Sequence, residues 1–302
     1  MNRFGGVEAG GTKFVCAVGT APDDLHVVSF PTRSPEATLE EVIPFFRDVS
    51  LSAIGIGSFG PLDLDPASAT FGHITSTPKL AWQGFDLAGA ISRALGVPVG
   101  FDTDVNAAAL GEARWGAAQD VADFIYLTVG SGIGGGAVVG GRVVHGLVHP
   151  EMGHIPVSHD LARDPYPGGC PFHGDCLEGL ASGPALEERW GMSPTELPAG
   201  HPAWELEAHY LALGLATWVC TLSPRRIVMG GGVMQREHLF PLVRKEFQRV
   251  LNGYVQSDAL AGGIDRYVVP PRLGDRAGVL GALVLAEHAF RDRGSADGPK
   301  AS

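Results

Sequence analysis

The chain has 302 residues, 45% of them hydrophobic, with 22 Lys+Arg against 33 Asp+Glu for a formal net charge of −11. Its length and apolar share imply about two domains, each with its own core. The acidic balance argues against a nucleic-acid or anionic-membrane partner, both of which ask for a basic face. No apolar run reaches membrane-span length, and Met1–Phe4 leads into a Gly-rich motif without the apolar stretch of a signal peptide. A cytoplasmic protein is expected.

In chain order, Val7–Val18 reads as strand, Gly-Gly-Thr turn and strand, and Leu127–Val139 repeats that pattern. Turns built from Gly and a hydroxyl residue present backbone N–H groups in a concave nest suited to phosphate oxygens. Between them, residues 53–57 and 97–101 read as short buried strands, and 39–46 and 85–95 have helical spacing. Val105–Trp115 is rich in helix formers, with Asp104 expected at its N-cap and a domain boundary near Gly116. Beyond it come the hairpin at 124–139, helices near 183–190 and 203–221, the strand 226–229 and a helix from about 233 to 251. Gly230–Gly232 separates that last strand and helix. A helix over 275–290 is expected to pack back on the first domain, and 291–302 reads as a frayed tail. The domains are thus read as 1–115, joined by that helix, and 116–274.

The stretch Glu151-Met-Gly-His154, then Cys170-Pro-Phe-His173-Gly-Asp-Cys176, interleaves carboxylate, imidazole and thiol. Two thiols and two imidazoles are the donor set of tetrahedral zinc, and the two-residue gaps let one tight loop aim three donors at a point. His154, Cys170, His173 and Cys176 are therefore read as ligands of a structural Zn2+, closed to water and so not hydrolytic. A surface loop with spare thiols is the plain alternative. Glu151, three residues before His154, shares its face if that segment makes a helical turn. Cys16 and Cys220 lie in apolar patterns and are expected to pack as small hydrophobes.

Three Gly clusters, at Gly10-Gly11-Thr12-Lys13, Gly130-Ser131-Gly132 and Gly230-Gly231-Gly232, fall at strand ends, where α/β proteins bind ligands. Taken singly each is also explained as a plain turn.

Together these segments resemble the ROK family of sugar kinases, and especially its zinc-containing fructokinase branch, over nearly the whole chain. Glu8–Lys13 looks like the first phosphate motif, Asp104–Glu112 like the catalytic-base segment, and Thr128–Gly134 like the second phosphate motif. Glu151–His154 looks like the sugar-binding element. Cys170–Glu178 and the following Leu180–Pro184, with Gly183, look like the zinc loop running into the nucleotide site, and Ile227–Gly232 like the adenosine motif. The resemblance implies an α/β fold of two domains, actin/hexokinase-like (ribonuclease H-like), with an interdomain active-site cleft. It also implies ATP and Mg2+ as cofactors beside zinc, a hexose substrate with fructose favoured, and a homodimer.

Asp104 is then the general base and touches the substrate, with Asp102 as the competing carboxylate and helix capping as the bland role. Glu151, His154 and Glu178 are the implied sugar ligands, and Gly10 to Lys13, Thr128, Gly130 to Gly132, Gly183 and Gly230 to Gly232 the nucleotide contacts. Thr77-Pro-Lys79 and Gly60-Pro-Leu-Asp63 fall where the family's first-domain substrate loops lie, and a surface-loop reading serves them nearly as well. Three departures qualify the match. Glu8 stands where the family usually has Asp, Thr103 where glucose-using relatives carry Asn, and His173 between Cys170 and Cys176 where three cysteines are usual. The last two point to fructokinase. A mannokinase, a glucokinase or a non-catalytic sugar-binding regulator remains the alternative. A repressor of this family would need a helix-turn-helix before the first strand, for which the start at Phe4 leaves no room.

Overall fold

The structure is a computed structural model that describes residues 2–296. The chain forms two compact units. One holds the chain to Gln119, His145–His149 and the chain from Asp275 onward, and the other holds Asp120–Val144 and Pro150–Gly274. His145–His149 thus lies with the first unit although it falls inside the stretch read as the second domain.

In the first unit, β1 (Phe4–Ala9) and β2 (Lys13–Gly19) make a hairpin that β3 (His26–Pro31) extends. β4 (Ala53–Ser58) and β5 (Val99–Thr103) join β1 in parallel, giving the order β3-β2-β1-β4-β5. Helix α1 (Pro35–Arg47) starts where the Ser34 hydroxyl accepts the Ala37 N–H, with Pro35 fitting the first turn. α2 (Leu87–Leu95) is capped by Asp86 and stopped by Gly96 in the left-handed region, and α3 (Asp104–Trp115) follows β5 directly. One core gathers Phe14, Ile54, Ile56, Phe46 and Trp82. Burying a side chain of this kind stabilises by roughly 1.5–3 kcal/mol.

The second unit repeats the plan. β6 (Phe124–Val129), β7 (Ile133–Val139) and β8 (Arg142–Val143) form the meander. After α4 (Leu177–Ala181), α5 (Gly183–Trp190) and α6 (Ala203–Leu222) comes β9 (Arg226–Gly230), parallel to β6. α7 (Leu239–Leu251), α8 (Asp258–Ala261) and α9 (Ile264–Tyr267) lead to β10 (Val268–Val269), completing the order β10-β9-β6-β7-β8. Strand for strand, this is the connectivity of the first sheet. The core here gathers Leu127, Trp204, Leu215 and Phe247.

Three sequence expectations are corrected. The helix read from about 233 begins at Leu239, because the Val233 N–H is taken by the Val129 carbonyl (3.0 Å) and tight turns fill the gap. Cys220 is exposed, not packed. α6 is apolar around much of its circumference, so composition does not reveal which side faces solvent. The terminal helix α10 runs over Ala277–Ala296, beyond the expected end at 290, and the rest of the expected tail lies outside the described residues. Among the described residues, no helix is long and apolar enough to cross a membrane.

α10 lies close on the first sheet because one row of positions beneath it lacks side chains. Gly6, Gly55 and Gly100 pair in one row across β1, β4 and β5. A Cβ at those positions would stand 2.8 Å from the Val279 carbonyl oxygen, 1.8 Å from that of Ala282 and 2.3 Å from that of Leu285. The same closeness joins α10 to α3, where a Cβ on Gly281 would meet the Ala107 oxygen at 1.5 Å. Backbone cannot step aside as a side chain can. Gly281→Ala should therefore cost roughly 3 kcal/mol in denaturant unfolding, at the upper end for overpacking. A loss below about 0.5 kcal/mol, the scale of ordinary surface substitutions, would contradict this packing.

Candidate active site

In the first unit the predicted base stands where β5 becomes α3. The N-cap is Thr103, whose extended backbone turns its Oγ1 to the Asn106 N–H (3.1 Å), so the expectation that Asp104 caps the helix is corrected. Asp104 is the first helical residue, and its Oδ1 accepts the Val105 N–H at 2.8 Å. Burial pushes its pKa up to about 6 against the lowering effect of backbone N–H groups. Asp102 is engaged elsewhere. Its Oδ1 accepts the Thr103 N–H (2.8 Å) and the Asn106 amide (2.7 Å), and its two oxygens face His145 Nε2 at 3.1 and 3.0 Å.

Glu8, near the end of β1, is pushed up to about 7 by burial and then by the negative charge of Asp104, with Lys13 acting in the opposite sense. Its Oε2 is buried and makes no hydrogen bond among the described residues. The carboxylate occupies space that a side chain at position 278 would claim, since a Cβ on Gly278 would lie 2.4 Å from Glu8 Cδ. A hard divalent cation fits the Glu8 carboxylate, because it would supply the partner that Oε2 lacks. In the β1–β2 turn the Gly10 N–H reaches the Lys13 carbonyl (3.0 Å), and Thr32 Oγ1 donates to the Gly10 carbonyl (2.7 Å). Lys79 lies across that turn, its Cε 3.0 Å from where a Cβ on Gly11 would stand. Sequence spacing gave no sign of this approach between residues so far apart.

The metal-ligand candidates of the second unit come together. One donor atom from each of His154, Cys170, His173 and Cys176 lies within 4.8 Å of the others. Nδ1 of His154 is 3.6 Å from both Cys170 Sγ and Cys176 Sγ, and His173 Nδ1 is 3.7 Å from Cys170 Sγ. Tetrahedral zinc with bonds of about 2.0–2.3 Å sets ligand-to-ligand edges of about 3.3–3.8 Å, so the donor set fits that ion. The loop is closed by reciprocal backbone bonds between Cys170 and Gly174, with Gly174 in the left-handed region. Backbone contact also joins its two ends, as the Leu177 N–H donates to the Ile155 carbonyl (3.0 Å).

His154 ends a 3₁₀ turn, Met152–His154, for which Glu151 is the capping position, and the Glu151 carbonyl accepts the His154 N–H. With Nδ1 turned to the thiols, His154 Nε2 faces Glu178 Oε1 at 3.8 Å. The other Glu178 oxygen accepts the Ile133 N–H at 2.9 Å. This contact explains Gly132 in the β6–β7 turn, where a Cβ would stand 2.6 Å from Glu178 Oε2.

The nucleotide-contact candidates of this unit also converge. The Gly183 N–H donates to the Gly130 carbonyl (2.7 Å), and a Cβ on Gly130 would stand 3.6 Å from the Gly232 nitrogen. Gly231 alone of the third cluster has positive φ, 92°, and packs on Val129, the last residue of β6. Thr128 precedes the same turn and Ser131 lies in it, so three separated sequence segments meet at one end of this sheet.

Two sheets of one topology, each opening on a Gly/hydroxyl hairpin turn, define the actin/hexokinase-like fold. The chain belongs to the ROK family, whose pattern matches residues 4–289. It is 49% identical over 289 residues to a putative fructokinase of Bacillus subtilis (strain 168), covering 95% of this chain and 96% of that protein. Among solved structures it is similar to the ROK hexokinase from Thermus thermophilus, with 33% identity, TM-score 0.78, and coverage of 96% of this chain and 99% of the other. The ROK glucokinase from Streptomyces griseus in complex with glucose and AMPPNP is 26% identical, with TM-score 0.75 and coverage of 95% and 100%.

The metal geometry makes a direct prediction. Protein purified without chelators should carry one zinc per chain, and Cys176→Ser should lose it and melt at lower temperature. Full metal content in that variant, measured by elemental analysis, would show that Cys176 is not a ligand.

Proposed function

We propose that this protein transfers the γ-phosphoryl group of ATP to a hexose hydroxyl, with D-fructose as preferred acceptor and D-fructose 6-phosphate as product. The observation that carries this reading is His154, which turns one nitrogen to the metal set and the other toward Glu178. A metal-bound Nδ1 leaves the proton on Nε2, so the wall offers a fixed N–H donor beside a carboxylate acceptor, a pair suited to sugar hydroxyls. Glu151, at the start of the same turn, is the third sugar ligand.

The preference for fructose rests on the greater identity to the Bacillus relative than to the Streptomyces glucokinase, together with Thr103 and the Cys-x-x-His-x-x-Cys loop. We also propose a cytoplasmic homodimer.

Phosphoryl transfer asks little covalent work of a protein. The hexose hydroxyl oxygen attacks the γ-phosphorus, the bond to the β-phosphate bridging oxygen breaks, ADP leaves, and Asp104 accepts the hydroxyl proton. In the Gly10–Lys13 and Gly130–Gly132 turns, backbone N–H groups other than those of Gly10 and Gly130 hold phosphate oxygens, with Thr12, Thr128 and Ser131 adding hydroxyls. Gly183 and Gly230 to Gly232 let the nucleotide approach backbone. Glu8 would hold magnesium, which when bound neutralises charge on the phosphates. A zinc ion held by His154, Cys170, His173 and Cys176 would fix the His154 tautomer and the loop and supply no electrophile.

A coupled ADP-release assay across fructose, mannose, glucose, glucosamine and N-acetylmannosamine tests the reading. Fructose should give the highest kcat/KM; an amino sugar in first place would overturn the assignment, and no turnover with any hexose would leave a sugar-binding regulator.

Asp104→Asn should lower kcat by roughly 10²–10⁴ with ATP binding retained, the usual scale for loss of a general base. Because the base must be ionised and its pKa lies at about 6, kcat/KM for fructose should fall as pH drops through about 6. A profile flat down to about pH 5 would show that Asp104 takes no proton.

A further inference from the structure

Beneath the metal loop lies a charged cluster that the proposed reaction does not use. Asp164, in the loop before Cys170, has a side chain only 2% exposed, and Arg189, in the last turn of α5, one 6% exposed. A buried carboxylate is tolerated only when paired and fully hydrogen-bonded. Asp164 meets both conditions. Its Oδ1 accepts Arg189 Nε (3.1 Å) and the Tyr166 N–H (3.3 Å), while Oδ2 accepts the Tyr210 hydroxyl (2.6 Å). The guanidinium is held against the rings of Tyr166 and Tyr210, 4.6 and 5.6 Å from their centroids. Tyr166 is fixed in turn by its hydroxyl on Glu188.

The cluster reaches the site in two directions. Arg189 Nη2 donates to the Leu180 carbonyl (2.8 Å) in α4, the helix that carries Glu178. Five residues cannot hold a helix by themselves, so the direction of α4 is set by what grips its ends. The second arm runs through His159, whose side chain is 4% exposed. Its Nε2 is 3.0 Å from the Asp164 carbonyl and its Nδ1 is 3.1 Å from Asp175 Oδ2, on the residue before Cys176.

We propose that Asp164 and Arg189 are positioning residues for hexose binding, fixing α4 and its Glu178 from one side and the Cys176 end of the metal loop from the other. The assignment rests on the reading of Glu178 as a sugar ligand. Arginine is required because one rigid fork serves two acceptors, Asp164 through Nε and Leu180 through Nη2. A lysine ammonium could answer the charge of Asp164 but could not span both.

Arg189→Lys separates this role from simple support. Amide hydrogen exchange in the substrate-free protein should speed up over residues 175–181 and stay unchanged in the strands at 124–139, as local loosening requires. The fructose KM should rise about tenfold, the scale seen when a supporting partner is removed, with ATP KM within about twofold. Tyr210→Phe, which removes one bond to Asp164 and leaves the fork, should show the same split with smaller amplitude. It also serves if the lysine variant fails to fold. Unchanged exchange over 175–181, or fructose and ATP KM rising together, would overturn the proposal. A wild-type protein that phosphorylates no hexose would instead refute the kinase reading, while the exchange result would still judge the cluster.

Discussion

The residues gathered in the second unit depend on one imidazole serving two neighbours. His154 turns Nδ1 to Cys170 and Cys176 and Nε2 toward Glu178, so whatever fixes the thiols also fixes the donor that stands beside that carboxylate. Glu178 is in turn tied by its second oxygen to the backbone of Ile133, at the edge of the β6–β7 turn. The Gly130–Gly132 turn and the Glu178 wall therefore share an atom-level contact. A change in the metal loop is felt first by His154 and Glu178, and only at one further remove by the β6–β7 turn.

The first unit solves a different problem, which is to keep two acidic groups dry. Glu8 and Asp104 both have raised pKa values through burial, and the charge of Asp104 further disfavours ionisation of Glu8. The start of α10 helps to create that environment, since Gly278 leaves room for the Glu8 carboxylate. The glycine row beneath the helix brings it that close. Packing of the terminal helix and the electrostatics of these two carboxyls are thus linked through backbone approach.

Much of this was legible in the sequence. The hairpins announce themselves by apolar alternation broken by Gly and Thr, and the metal loop by donor type and spacing. Legibility ended where residues distant in sequence meet. Gly6, Gly55 and Gly100 are unremarked glycines until strand register places them in one row. Thr103 and Asp104 are both good N-cap types, and only the backbone dihedrals decide that Thr103 takes the cap. Lys79 over Gly11, the fork of Arg189 and His145 on Asp102 have no local signature at all. The late start of α7 escaped because Leu and Val at helical spacing do not reveal that a strand carbonyl has taken the Val233 N–H.

The claim that the metal site holds the sugar wall is tested most directly by calorimetric binding of fructose to zinc-loaded and zinc-stripped protein, with metal content verified in both. The account predicts that stripping weakens fructose binding by about tenfold or more, as loss of an orienting partner does, while the affinity for a non-hydrolysable ATP analogue is retained. Equal fructose affinity with and without zinc would mean that the metal is a remote staple, and would contradict the coupling through His154.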